Sequence, residues 1–160
     1  MSVGSWQAFA DALGDENQSL AELGAAALAM TSALVFGTAG EIAAVDLRVD
    51  LQRIRHAQAH GRRMTMMRSG FGELTLREVC GHAPAPLRRA VFTSLRELRT
   101  RGIALQITVA NNKTLINAGL TRIAKTIAVM QECLSEQTGT YRRRGKMVSP
   151  SASLIVSRKA

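Results

Sequence analysis

Few residues of this chain have the type and spacing to do chemistry. His56 and His60 stand four apart, which puts two imidazoles on one helix face where they could grip a divalent metal. A zinc peptidase site needs a glutamate between them and a further ligand, whereas Ala57-Gln58-Ala59 intervenes and His82 is the one other histidine. Cys80 and Cys133 form no CxxC pair and no cluster with histidine, so they read as reduced, buried, small apolar residues of a cytoplasmic protein. Gly37-Thr38-Ala39-Gly40 lacks the Gly-Lys-Ser/Thr ending of a phosphate loop, and Ser69-Gly70-Phe71-Gly72 lacks the strand that should precede one. The acids are scattered and no Ser-His-Asp set can be assembled from sequence. The expectation is a protein that is not an enzyme and holds neither metal nor cofactor.

Arginine is the other reactive type. Arg62-Arg63, Arg88-Arg89, Arg96-Arg99-Arg101 and Arg142-Arg143-Arg144 could line a phosphate-binding face. No aromatic residues are interleaved for base stacking and no recognition helix stands out, so they read as solvated helix faces and no specific nucleic-acid partner is expected. The net charge of +9 hides an asymmetry: residues 1–47 carry six acids and no Lys or Arg, while residues 48–160 carry all 21 basic residues against six acids. An acidic opening segment beside basic ones favours antiparallel helix packing, by tenths of a kcal/mol per exposed pair.

These residues must be positioned by helices. With four Phe, one Trp and one Tyr in 160 residues, the core falls to Leu, Ile, Val, Met and Ala. Trp6, Phe9, Leu13, Leu20, Leu23, Ala27, Met30 and Leu34 mark a first helix over 5–36. The glycines of 37–40 are expected to close it by the left-handed conformation and reverse the chain. A second helix from Glu41 to about Met67 has Ile42, Val45, Val49, Gln52 and His56 on one line, widened by Leu47, Leu51 and Ile54, with Asp50 and Arg53 able to pair. After the turn at 69–72, Thr75-Leu76-Arg77-Glu78 is a capping box for a short helix. The uncharged run 23–40 is flanked by Glu22 and Glu41 with no basic start before it, so neither a membrane span nor a signal peptide is expected.

The last helix dominates. From Pro86 to Gln137, small or apolar residues recur at gaps of three and four, from Leu87 through Val91, Leu98, Leu105 and Asn112 to Leu134. At 1.5 Å per residue such a rod is about 75 Å long, more than the two preceding helices of about 45 Å span. Its closing half, Leu115, Ile116, Leu120, Ile123, Ile127, Met130 and Leu134, is a dense apolar face suited to packing on a helix, whether internal or a partner's. The expected fold is all-α: an elongated antiparallel hairpin or bundle of two long helices, a short one and a very long one. Residues 1–137 form the helical domain and 138–160 a flexible basic tail.

The closing third resembles the FlgN-type flagellar export chaperones. Asn112-Lys113-Thr114-Leu115-Ile116 is similar to that family's N-x-x-L-I block, and Thr140-Tyr141-Arg142-Arg143-Arg144-Gly145 to its T-Y-x-x-x-G signature. The order of helices is similar too, although Val109 stands where members often carry another asparagine. The resemblance implies a cytoplasmic protein that binds the C-terminal helices of hook-filament junction proteins, prevents their early assembly and delivers them to the export gate, with the export ATPase complex as a further partner. It implies substrate contact by Leu115, Ile116, Leu120, Ile123, Ile127, Met130 and Leu134, gate docking by Tyr141, and motif roles for Asn112 and Gly145. The readings from other classes are a basic helical nucleic-acid-binding protein and a structural coiled-coil subunit.

Overall fold

The computed structural model describes residues 3–139, with side chains for 4–134. Tyr141, the three arginines after it, Gly145 and nearly all of the expected tail at 138–160 lie outside the described residues. The fold is all-α, with α1 (Val3–Phe36), α2 (Ala39–Phe71), α3 (Leu76–Gly81) and α4 (Ala85–Gly139). The chain divides into two compact units, Met1–Ala118 and Gly119–Ala160.

In the first unit α1 and α2 form an antiparallel hairpin whose connection is Gly37 and Thr38 alone. The expected four-residue turn is shorter because Thr38 caps α2 at once. Its hydroxyl accepts from the Glu41 N–H, and the Glu41 carboxylate accepts from the Thr38 N–H at 2.7 Å. The reciprocal bonds hold the Glu41 carboxyl below the usual range, the backbone bond contributing most. Gly37 is required for another reason than a left-handed φ. A Cβ there would lie 2.6 Å from the Ala33 carbonyl oxygen, to which the Gly37 N–H already donates at 2.8 Å. A positive φ is found at Gly72 (67°), where α2 stops four residues beyond the expected Met67. Thr75 and Glu78 then close the capping box that starts α3.

α4 enters at Pro84, whose carbonyl accepts from Leu87 and Arg88 at 3.0 and 2.9 Å. Asn17 of α1 meets Glu97 and Arg101, and Ala27 and Thr31 meet Asn112, so α4 runs parallel to α1. These bonds span 80 to 85 residues of sequence, which places Phe36, the end of α1, level with the close of the first unit. The core at the opposite end gathers Phe9, Leu13, Met67, Val79, Cys80 and Val91, with Trp6, Phe9 and Phe71 in edge-to-face contact at 4.8–5.9 Å.

By length and composition α1 is apolar enough to cross a bilayer. Here its apolar line faces the core together with Glu16, Asn17 and Ser19.

Three expectations need correction. Leu47, Leu51 and Ile54 do not widen the packed line of α2; all three are exposed. The buried line is instead Gln52, Ala59, Arg63 and Met67, so Arg63 is no part of a solvated basic pair. The cysteines also differ from each other. Burial pushes the Cys80 thiol up, while Cys133 is exposed. A thiol reagent added to native protein is expected to label Cys133 at once and Cys80 only on unfolding; equal labelling of both would contradict this burial.

Gln52 is buried and its Oε1 has no hydrogen-bond partner among the described residues. An orphaned buried amide oxygen costs the desolvation it never recovers. Gln52→Met keeps the length and removes the polar group, and it is expected to raise stability by about 1 kcal/mol. A urea midpoint that fails to rise would show that the carbonyl is satisfied in solution.

Candidate helix-binding face

The second unit, as described, is the continuation of one helix. Leu120, Ile123, Ile127, Met130 and Leu134 recur at gaps of three, four, three and four, the spacing of a seam into which another helix can set its knobs. All five are 49–63% exposed. At 100° per residue the charged Arg122, Lys125 and Glu132 project from other faces, so the seam carries apolar side chains alone. Met130 adds a thioether able to adapt to an irregular partner.

The other expected contact residues belong to the first unit. Leu115 is half-buried and Ile116 is exposed at its surface. Asn112 is buried: its Nδ2 donates to the Ala27 carbonyl at 2.9 Å, and its Oδ1 accepts from the Thr31 hydroxyl at 2.7 Å. The motif asparagine therefore pins α4 to α1, and both ends of its amide are satisfied.

Sequence reasoning missed the polar cluster between α1 and α2. Glu16 and Arg63 are 2% and 5% exposed. The Arg63 guanidinium donates through Nε to Glu16 Oε2 and through Nη2 to Oε1 at 3.2 Å, and His60 Nδ1 lies 2.7 Å from that same Oε1. Burial alone would raise the Glu16 carboxyl. The hydrogen bonds and charges of Arg63 and His60 outweigh it and leave the carboxyl below its ordinary value. Burial lowers His56, helped by the charges of His60 and Arg63 and opposed by Glu16.

This cluster has superficial likeness to a hydrolytic site, because Ser19 Oγ lies 3.2 Å from His56 Nδ1. The Ser19 hydroxyl donates to the Glu16 carbonyl at 2.8 Å, so in the His56 contact the imidazole donates. That is the reverse of a nucleophile and its base. His60 gives its Nδ1 to Glu16, and the described residues contain no group of three metal-ligating side chains. The arrangement locks two helices together.

The missed signal was present in the spacing. The apolar line of α1 skips from Leu13 to Leu20, and Glu16 sits in the gap at the position that continues the stripe. Among known proteins, no family model, no curated sequence and no solved structure matches the chain.

Proposed function

We propose that the chain is a cytoplasmic export chaperone of the flagellar type III pathway, which shields the C-terminal helices of hook-filament junction proteins and escorts them to the export gate. The observation that carries this reading is the seam Leu120-Ile123-Ile127-Met130-Leu134, apolar, exposed and spaced for a helix. Unpaired amphipathic helix ends aggregate, and a carrier needs only to lend them a complementary face. The sequence likeness around Asn112–Ile116 and Thr140–Gly145 supplies the identity of the cargo. Such work requires neither nucleotide nor metal.

Purified C-terminal helical segments of candidate junction proteins, mixed with the chain at about 150 mM salt, are expected to co-elute with it. Light scattering distinguishes the rival use of the seam. A chain that self-associates through it, and gives up none of that association to the segments, would be a structural coiled-coil subunit. Retention of unrelated DNA but of no segment would indicate the nucleic-acid reading.

A further inference from the structure

Arg77 of α3 and residues 89–99 of α4 line an open cavity of about 680 Å3 whose apolar floor is Phe92 and Leu95 and whose charged rim is Arg77, Arg89, Arg96 and Arg99. None of the four guanidiniums has an ion pair or hydrogen bond among the described residues. The acids adjacent to these arginines in sequence, Glu78 and Glu97, are committed elsewhere. Glu78 is held by Thr75, and Glu97 by Asn17 at 2.8 Å and Arg101 at 3.4 Å. Four like charges gathered around exposed apolar surface, with no counter-charge of their own, offer the fold nothing. They suit a ligand that brings both carboxylates and apolar bulk.

We propose that this cavity docks an acidic amphipathic helix of a partner protein, with an apolar side chain on Phe92 and Leu95 and carboxylates against the rim. Charge complementarity selects this occupant. Phosphate-bearing strands would use the arginines and leave the floor idle, and Phe92 alone is no stacking platform for successive bases. A bilayer surface is flat, whereas this site is a hollow walled by a second helix. A second copy of the chain does not supply the ligand either. In such a copy the acids of α1 are held by their own neighbours, Asp11 by Gln7 and Glu22 by Gln18, and precede that helix's exposed Leu28, Val35 and Phe36 by six residues or more, while around Leu47, Leu51 and Ile54 of α2 the three arginines Arg48, Arg53 and Arg55 outnumber Asp46 and Asp50, the latter bonded to Arg53. The site shares no residue with the seam of the second unit and stands or falls independently of the chaperone reading.

The test titrates the full chain, at about 150 mM salt, with a fluorescent synthetic peptide of about 16 residues built from Glu, Ala and Leu around a central Trp. Parallel titrations use the same peptide with Gln for Glu, a single-stranded oligonucleotide, and vesicles containing phosphatidylserine. The Glu peptide is expected to bind at least about tenfold more tightly than each of the other three. Arg96→Gln combined with Arg99→Gln, and separately Phe92→Ser, are each expected to weaken it by about tenfold or more, with circular dichroism and melting unchanged because these side chains are exposed or half-exposed. Absence of Glu-peptide binding, equal binding of the Gln peptide, preference for oligonucleotide or vesicle, or variants that bind like the original chain would each overturn the proposal.

Discussion

Arg63→Met is expected to cost the first unit about 3–5 kcal/mol at neutral pH, a large part of the stability of a domain of this size. The methionine preserves most of the buried stem. What it removes is the guanidinium that makes two bonds to Glu16, leaving a carboxylate that is 2% exposed with the His60 imidazole as its one remaining hydrogen-bond partner among the described residues. Restoring electrical balance rather than the arginine should repair the damage: Glu16→Met with Arg63→Met is expected to return to within about 1 kcal/mol of the original, since apolar replacement of a whole buried pair is commonly neutral or better. Urea denaturation of the three proteins measures both effects. A double variant as weak as the single one would mean that the pair's geometry, and not its charge, was being lost.

The same cluster sets the acid limit. Glu16 and His56 both have folded values below their ordinary ones, so in both cases the unfolded chain binds more protons. Their stabilisation is fully present above the unfolded values. It declines first below about pH 6.5 as His56 is driven to protonate, and then below about pH 4.5 as Glu16 is. In Arg63→Met the order of effects changes. The unpaired Glu16 can escape its penalty by taking up a proton, so the deficit relative to the original chain should shrink between pH 7 and pH 4. A deficit independent of pH would contradict the charged state assigned to Glu16.

The second large effect concerns binding and leaves folding alone. Ile123→Asp with Ile127→Asp places two charges in the middle of the exposed seam, where a partner helix would have to bury them without counter-ions. Under the proposed function, capture of a junction-protein helix is expected to fall by about a hundredfold or more, whereas melting of the first unit should be unaffected, because neither side chain contributes to its core. Cys133, exposed on another face of the same turns, accepts a dye for following that binding in solution. Undiminished capture by a folded double variant would remove the seam from the binding surface.

Helix content was legible in the chain because a 3.6-residue period survives any amount of ignorance about neighbours. The caps were legible unevenly. Thr75-x-x-Glu78 was recognised, while the same pattern at Thr38-x-x-Glu41 was hidden by the adjacent glycines, which suggested a longer turn. Polar residues on an apolar line were where reading failed. Arg63 continues the line of Gln52 and Ala59, yet beside Arg62 it looked like half of a basic patch. Nothing local reveals that Glu16, 47 residues earlier, supplies its charge. Leu47, Leu51 and Ile54 failed in the opposite sense: apolar type suggested burial, but α2 packs along one line, and these three lie on a different side. For the seam, spacing revealed the face, while the exposure of its residues could not be read from any local pattern.

The connection of Gly37 and Thr38 also constrains how relatives of this chain can diverge. With the glycine wedged against the Ala33 carbonyl and Thr38 already capping the next helix, there is no slack between the two arms. One inserted residue would rotate the second arm by about 100° and swing Arg63 from its acid toward solvent. Indels, which surface loops ordinarily absorb, should therefore be purged from this corner while accumulating between residues 72 and 75, and a set of orthologues aligned across both joints would display that contrast.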